Sequence, residues 1–319
     1  MRKEEVLEKI NRVKFWNHRI DLGDGICTAG SSGINRFDRY GFTDELRGKT
    51  VLDIGAWDGI ESFKAEQYGA KRVLATDVWY VAPFLKIYWS SFRNGDEGFR
   101  CVKEILHSSV EQKNIDIFDL SEKTVGRFDI VFFLGVLYHV QHPLKAIQII
   151  SSICSEMLVL ETAVLAPGGI LPEKCDEIPI MQFRGEAGWF PNKLCVQEML
   201  KLAGFKKLDY SFVKGVGRTD RDSRFGVISR DTVTHDYDFN AENSDKICKD
   251  TPVEILITEL GNMDLSHPQA KRVRIEWDKP RRQVWVDKAD VKVVDKIPEE
   301  LDVNKRTKTE RIILRAYKK

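Results

Sequence analysis

The chain has 319 residues, of which 42% are hydrophobic and 31% are charged, and its formal net charge is +1. This composition is typical of a soluble globular protein, and the near-neutral charge excludes a general electrostatic attraction to nucleic acid. The longest strongly apolar stretch, Ile130 to Leu137, is too short to span a bilayer, so no membrane partner is expected.

The six cysteines are scattered along the chain and form no Cys-x-x-Cys pair. A zinc site or a disulfide framework is therefore not expected, and a reducing cytoplasm is the expected location. The cysteines are Cys27, Cys101, Cys154, Cys175, Cys195 and Cys248.

The N-terminal segment predicts a helix followed by a hairpin. Residues 1–16 place apolar side chains between Val6 and Val13 on one helical face. The stretch from Trp16 to Ile26 predicts a short hairpin that turns at Gly23-Asp24-Gly25. We expect residues 1–48 to form an N-terminal helix and hairpin cap.

Residues 49–230 alternate strand and helix patterns. Continuously apolar runs such as Phe128 to Leu134 are typical of strands covered by helices on both faces. The pattern predicts an α/β fold with a doubly wound, mostly parallel, seven-stranded sheet. The predicted strands are 50–54, 72–77, 110–117, 128–134, 156–162, 206–212 and 224–229, and the predicted helices are 59–68, 98–106, 143–152 and 192–203.

The character of the sequence changes after about residue 230. Residues 231–250 are polar and predict a connector, and residues 251–319 predict a β-rich C-terminal extension. Residues 271–319 contain 16 Lys/Arg and 9 Asp/Glu, a local charge of +7. A solvated strand surface is the favoured interpretation, and a phosphate-binding patch is the alternative.

The stretch from Val51 to Gly59 carries the strongest functional signal. An apolar strand runs into a glycine turn, where Gly55 and Gly59 permit close backbone approaches, and a helix follows. Asp77 ends the next predicted strand, where a carboxylate can accept hydrogen bonds from both hydroxyls of a ribose. The turn lacks a complete Gly-x-Gly-x-x-Gly motif, and Asp53 precedes its first glycine, so we expect a nucleoside cofactor with an amino-acid end.

A second group of residues follows the strand Phe128 to Leu134. Gly135 lies at the sheet edge, and Tyr138 and His139 follow in the next loop. A histidine there can accept a proton from an attacking hydroxyl, or it can simply pack beside the cofactor. His142 has the spacing of a metal partner for His139, but no acid or cysteine completes a metal site.

Three acids near the same edge are further candidates. Glu161 follows a buried strand and can either contact substrate or accept bonds from loop amides. Asp116 follows the third strand, where an acid can bond the exocyclic amine of an adenine flanked by Ile117. Asp119 is the competing residue, and its position favours a helix N-cap or a turn.

These motifs together resemble the class I S-adenosylmethionine-dependent methyltransferases, and more narrowly the branch that contains the tRNA wobble-uridine 5-oxyacetate enzyme. The resemblance covers about residues 14–230 and implies a Rossmann-like methyltransferase fold. It rests on His18 to Gly25 with Thr28-Ala29-Gly30, Val51 to Gly59, Gly135-Val136-Leu137-Tyr138-His139, Glu161-Thr162, Phe190-Pro191-Asn192 and Ala203-Gly204-Phe205.

The resemblance implies a role for each matching residue, with S-adenosyl-L-methionine as the cofactor. The methionine portion would lie against the glycine turn, the ribose against Asp77, the adenine against Asp116, and the acceptor against Tyr138 and His139. The cofactor set is Asp53, Gly55, Trp57, Gly59, Asp77, Val78, Asp116, Ile117, Leu134 and Gly135, and the catalytic set is His139, Tyr138 and Glu161.

We expect methyl transfer to a small-molecule or sugar-like hydroxyl, with His139 as the first candidate base and Glu161 as the second. The tRNA enzyme has basic residues after its Tyr-His pair, where this chain has Val140 and Gln141, and this difference favours a small acceptor. A tRNA wobble-uridine methyltransferase is the first alternative. A non-catalytic binding protein and a nicotinamide-dependent oxidoreductase are the others.

Overall fold

The structure is a computed structural model, and it describes most of the chain in twelve segments. Two compact units are present: residues 1–34, 91–107 and 220–306 form one, and residues 35–90, 108–219 and 307–319 form the other. We call them the antiparallel-sheet unit and the parallel-sheet unit. The described segments are 1–30, 34–80, 95–165, 177–183, 188–210, 224–228, 232–235, 242–247, 252–258, 268–277, 282–294 and 309–319.

The helices and strands are numbered in chain order. The α-helices are α1 Lys3–Arg12, α2 Ile60–Gln67, α3 Glu97–Ile105, α4 Glu122–Val125, α5 Pro143–Ile153 and α6 Lys193–Leu202. The strands are β1 Thr50–Ile54, β2 Arg72–Asp77, β3 Glu111–Asn114, β4 Phe128–Leu134, β5 Cys154–Leu165, β6 Met181–Phe183, β7 Trp189–Pro191, β8 Lys207–Asp209, β9 Arg224–Ile228, β10 Thr232–His235, β11 Glu242–Ile247, β12 Pro252–Thr258, β13 Arg272–Trp277, β14 Arg282–Asp287, β15 Val291–Val294 and β16 Thr309–Tyr317.

The parallel-sheet unit contains a seven-stranded sheet in the order β3-β2-β1-β4-β5-β16-β8. The first five strands in this order pair in parallel, and β16 runs antiparallel to both of its neighbours. The predicted fold class, a mostly parallel seven-stranded α/β sheet, is confirmed. Because β1, β2 and β4 are parallel neighbours, the turns that follow them open at one edge of the sheet.

One strand of the sheet was placed wrongly by the sequence pattern. Residues 224–229 do contain a strand, but β9 pairs with β12 and β15 in the other sheet. The position between β5 and β8 is taken by β16, which belongs to the predicted extension 251–319. An apolar strand pattern does not indicate which strand will be its neighbour in the sheet. In the folded protein β16 takes this place and packs Ile312, Leu314 and Ala316 into the core.

The antiparallel-sheet unit contains the other seven-stranded sheet, in the order β11-β10-β14-β13-β12-β9-β15. The prediction of a connector at 231–250 is wrong, because β10 and β11 lie there and pair with each other. Helix α3, predicted among the elements of the parallel sheet, also belongs to this unit. Short strands with mostly polar residues lack a clear apolar alternation, so their sequence is easily mistaken for that of a linker.

The N-terminal hairpin has the predicted turn. Asp21 forms an isolated bridge with Cys27, and the amide of Leu22 donates to the carbonyl of Ile26 at 2.9 Å. Asp24 adopts φ 51°, between two glycines that also have positive φ. Among the described residues, no helix combines the length and the apolar character that crossing a bilayer requires.

Strand β16 is anchored to the parallel-sheet unit by Arg315. This side chain is 5% exposed, and it donates to the carbonyl of Tyr40 and, at 2.9 Å, to the carboxylate of Glu45. Burial alone would raise the pKa of Glu45, but hydrogen bonds from the backbone of Thr43, from its own backbone and from Arg315 lower that pKa to about 2.

The Glu45 contact predicts a pH dependence of stability. The pKa of Glu45 is lower in the folded protein than its ordinary value of 4.5, so the ionised form stabilises the fold fully above about pH 4.5 and loses this effect as the pH falls toward 2. The Tm difference between the wild type and Glu45→Gln should therefore be largest near neutral pH and shrink below about pH 4.5. Thermal unfolding across this range measures it.

Glu198→Gln is the matched control, because Glu198 pairs with Lys201 on an exposed helix surface. Exposed pairs of this kind contribute little to stability. Equal effects of the two substitutions at neutral pH would contradict the role given to Glu45.

Candidate functional site

The glycine turn between β1 and α2 has the backbone geometry that its sequence predicts. Gly55 and Gly59 adopt φ of +79° and +84°. The amide of Gly55 donates to the carbonyl of Thr76 at 2.8 Å, which ties the turn to the end of β2. A Cβ on Gly55 would lie 2.4 Å from a methyl carbon of Val136, so the loop after β4 packs directly against the turn.

Asp77 lies at the end of β2 with its carboxylate directed toward the turn. One oxygen accepts the amide of Trp57 at 2.9 Å, and the other accepts the amide of Val78 at 2.6 Å. Asp77 is 6% exposed. The carboxylate of Asp77 therefore joins the end of β2 to the glycine turn.

Trp57 is the third residue of the turn and adopts φ 49°, a left-handed conformation that is uncommon for a bulky side chain. Its amide bonds to Asp77, and its carbonyl accepts the indole N–H of Trp79 at 2.9 Å. Trp79 is 2% exposed. The peptide groups on both sides of Trp57 are therefore held by Asp77, at the end of β2, and by Trp79, just beyond it.

Asp53 precedes the turn and is buried within β1. Its carboxylate accepts the hydroxyl of Ser62, on α2, at 2.6 Å. Asp53 is 2% exposed. The contact connects the strand with the helix on either side of the glycine turn, and this fixes the turn that the two elements enclose.

Asp116 lies at the predicted position beyond β3. One carboxylate oxygen accepts the amide of Phe118 at 2.8 Å, which caps the short 3-10 helix Ile117–Asp119. Of the two roles expected for Asp119, an N-cap or a turn residue, the structure shows the second: Asp116 is the N-cap, and Asp119 is an exposed residue of the 3-10 turn. Asp116 and Ile117 are half-buried, as residues that contact a ligand at the sheet edge would be.

The loop after β4 presents Tyr138 and His139. Gly135 adopts φ +76° and donates its amide to the carbonyl of Glu161 at 2.9 Å, while Leu134 before it is buried. A 3-10 turn at Leu137–His139 places the rings of Tyr138 and His139 4.0 Å apart, and both side chains are half-exposed. The two predicted reaction residues are therefore neighbours on the loop that packs against the glycine turn.

Glu161 lies in a buried hydrogen-bond network and is 3% exposed. Its two oxygens accept the phenol of Tyr40 at 2.9 Å and the guanidinium of Arg311 at 2.9 Å. Arg311 also donates to the hydroxyl of Tyr138 at 3.2 Å. A carboxylate that is paired with a guanidinium is a weak proton acceptor, so this geometry favours positioning over the predicted role as second base.

Arg311 and Tyr40 were missed by the sequence analysis. Arg311 lies far from the motifs along the chain, since 150 positions separate it from Glu161, and Tyr40 belongs to none of the motifs. An arginine in a basic, alternating strand has no local signal that distinguishes an inward-facing side chain from a solvated one. Only the pairing of β16 with β5 brings it to the site.

The β6–β7 hairpin packs against the same loop. The ring of Phe190 lies 5.6 Å from that of Tyr138, and Gly188, at φ +91°, lies so close that a Cβ would be 1.9 Å from the Tyr138 carbonyl oxygen. Asn192 then caps α6 by accepting the amide of Cys195 at 2.8 Å. The Phe190-Pro191-Asn192 motif thus connects the loop with a helix N-terminus.

Within the described part of the chain, no group of three or more His, Cys, Asp and Glu side chains could hold a metal ion. His142 is exposed, and its ring meets that of Phe118 at 5.8 Å in an edge-to-face contact. His142 therefore has an aromatic contact in this structure.

The parallel sheet, with a glycine turn and an acid-ended second strand at its carboxyl edge, defines the fold of the class I S-adenosylmethionine-dependent methyltransferases. A family model described as a methyltransferase domain matches residues 32–210, more than half of the chain. The chain belongs to this methyltransferase family, which confirms the resemblance and supports S-adenosylmethionine as the cofactor.

Curated relatives match over part of their length. The chain is 30% identical over 122 residues to the tRNA U34 carboxymethyltransferase of Helicobacter pylori (strain Shi470), which covers 38% of the chain and 42% of that protein. It is 27% identical over 179 residues to the tRNA U34 carboxymethyltransferase of Idiomarina loihiensis, covering 52% and 48%. The chain thus spans less than half of the length of these two relatives.

A solved structure shares the fold. The N-terminal domain of EvdMO1, crystallised in the presence of SAH and D-fucose, has a TM-score of 0.50 and 19% sequence identity, and the match covers 66% of this chain and 89% of that domain. At this identity the likeness shows the fold alone.

The packing of Gly188 predicts the effect of adding a side chain. Gly188→Ala introduces a left-handed alanine and a steric clash with the Tyr138 carbonyl. Gly48→Ala, at φ +71° with nothing within 4 Å of the new Cβ, introduces only the backbone cost of roughly 1–2 kcal/mol. We expect Gly188→Ala to lower the free energy of unfolding by clearly more than Gly48→Ala, as measured by urea denaturation. Equal losses would show that the hairpin adjusts without disturbing the loop.

Proposed function

We propose that this chain binds S-adenosylmethionine at the carboxyl edge of the parallel sheet and transfers its methyl group to a small-molecule or sugar-like hydroxyl. The observation that carries the proposal is the junction of the two loops. The glycine turn, with Asp77 beside it, packs against the loop that presents Tyr138 and His139, through the contact of Gly55 with Val136. A cofactor cradle and a set of polar reaction residues are thus adjacent.

The residues of the turn fit the proposed cofactor. Gly55 has no side chain, so the loop after β4 packs directly against the turn, and the buried carboxylate of Asp77 lies beside the turn, where it would hold the ribose hydroxyls. Asp116 has one oxygen in the cap of the 3-10 helix, and its other oxygen has no partner among the described residues, so that oxygen is able to accept an adenine amine. The methionine portion would lie against Trp57 and Gly59, with Leu134 and Gly135 beneath the cofactor and Val78 and Ile117 beside its nucleoside end.

S-adenosylmethionine supplies a methyl group that is already electrophilic, so the chain mainly aligns the acceptor and excludes water. His139 would take the proton of the acceptor hydroxyl as the new O–C bond forms. Tyr138 would orient the acceptor, since Arg311 and the ring of Phe190 hold its phenol in place. Glu161 would keep Arg311 in position.

A tRNA acceptor is the second candidate, and the named activity of the partial relatives supports it. Two features of this chain support a small acceptor instead. The residues after Tyr138-His139 are a buried Val140 and an exposed Gln141, and neither is cationic. Among the described basic residues of 271–319, Arg274, Arg311 and Arg315 make hydrogen bonds within the protein.

Asp77 provides a test of cofactor binding. Asp77→Asn removes the charge and replaces one acceptor oxygen with an amide that faces a backbone N–H. We expect the affinity for S-adenosylhomocysteine to fall roughly tenfold or more, since hydrogen bonds to charged groups contribute about 1.5–3 kcal/mol. Isothermal titration calorimetry measures it. Asp129→Asn is the control, because Asp129 also accepts backbone and hydroxyl bonds but at the opposite end of β4; equal losses would contradict the ribose role.

Transfer of labelled methyl from S-adenosylmethionine tests the acceptor class and His139 together. We expect labelling of compounds in a panel of monosaccharides and nucleotide sugars, and none of bulk tRNA. With the labelled acceptor, His139→Ala should reduce turnover by roughly 10²-fold or more while leaving S-adenosylhomocysteine affinity nearly intact. His142→Ala, an exposed neighbour, should change neither.

Two outcomes would overturn the proposal. Labelling of tRNA, with an affinity that falls steeply as salt rises, would establish the second candidate. Unchanged turnover in His139→Ala would exclude this histidine as the base.

A further inference from the structure

Trp57 occupies a backbone conformation that its side chain does not favour. At φ 49° the backbone of Trp57 is left-handed. For residues other than glycine, this conformation is populated roughly 5- to 30-fold less than the right-handed one. The turn nevertheless places this bulky residue between two glycines with positive φ, Gly55 and Gly59. Some contact outside the turn must therefore hold Trp57 there.

Two hydrogen bonds provide that constraint. The Asp77 carboxylate accepts the amide of Trp57 at 2.9 Å, and the indole of Trp79 donates to the Trp57 carbonyl at 2.9 Å. The Asp77 contact belongs to the proposed ribose site, whereas Trp79 has no role in the proposed chemistry. Trp79 is 2% exposed, so water competes poorly for its indole N–H.

We propose that Trp79 is a positioning residue for the cofactor: its indole N–H holds Trp57 left-handed and thereby keeps the turn and the Asp77 carboxylate in the binding geometry. The inference rests on the proposed cofactor site. Without the Trp79 bond, Trp57 relaxes toward ordinary backbone angles in the unliganded protein. The affinity for the cofactor then falls in proportion to the population of the competent turn.

The test is a double-mutant cycle on the full chain, with S-adenosylhomocysteine as the probe and calorimetry as the readout. Trp79→Phe keeps an aromatic ring but loses the donor, and we expect roughly tenfold weaker binding. Trp57→Gly removes the left-handed penalty, because glycine adopts this conformation freely. In the Trp57→Gly background, adding Trp79→Phe should therefore weaken binding by less than about threefold.

Two further variants separate positioning from general stability. Benzothienylalanine at position 79 replaces the indole N–H by sulfur at nearly constant shape, so it should reproduce the effect of Trp79→Phe without a packing defect. Trp16→Phe is the matched control, since Trp16 is fully buried and donates its indole N–H to the carbonyl of Ile10 at 3.0 Å in the other unit. The Trp16→Phe substitution should lower Tm and leave S-adenosylhomocysteine affinity unchanged.

If Trp57→Gly itself binds S-adenosylhomocysteine too weakly to measure, Trp57→Asn serves the same purpose, because asparagine also tolerates left-handed angles.

The outcomes are distinct. No binding by the wild type would overturn the proposed cofactor site and this inference with it. Binding by the wild type, with Trp79→Phe unchanged or equally weakened in both Trp57 backgrounds, would overturn only the positioning role of Trp79.

Discussion

The ion pair between the buried Glu161 and the partly exposed Arg311 connects the parts of the proposed reaction site that the chain order keeps apart. A carboxylate removed from water is costly unless it is paired and hydrogen-bonded. Here the hydroxyl of Tyr40 donates to the carboxylate, and the guanidinium reaches the hydroxyl of Tyr138. The pair therefore unites the 3-10 helix Ile34–Tyr40, strand β16 and the loop after β4 in one network. Removing either partner would leave an uncompensated charge beside the residues proposed to face the acceptor.

The carboxyl edge of the sheet has two halves with different supports. The half proposed for the cofactor is held by residues of one stretch of the chain, in which the amide of Gly55 bonds to the carbonyl of Thr76 and the side chains of Asp77 and Trp79 bond to the backbone of Trp57. The half proposed for the acceptor is held by side chains from distant elements, through Arg311 and Phe190. A half built within one stretch of sequence suits a cofactor that a whole family binds, and a half built from distant elements allows the acceptor to differ among members of one fold.

Local patterns were sufficient wherever the structure depends on neighbours in sequence. The turn after β1, the acid that ends β2 and the Tyr138-His139 loop are all at the predicted positions, because a glycine turn and an apolar strand need only adjacent residues to define them. The role of a side chain was missed where its partner is distant in sequence. Glu161 is paired with an arginine that no nearby residue predicts. A side chain's chemistry depends on its partners, and those partners are distant in sequence.

The amino-acid sequence by itself determined the class of fold, the methyltransferase family and the edge of the sheet at which the proposed site lies. The tertiary structure alone decided that β16 rather than β9 completes the parallel sheet, that residues 231–250 contain strands, and that Arg311 reaches Tyr138. The physical reason is the same in each case. A strand's pattern has a period of two and specifies which face is apolar, but the partner is chosen by packing against the whole core. For β16 that choice joins residues 150 positions apart, a separation over which no local propensity acts.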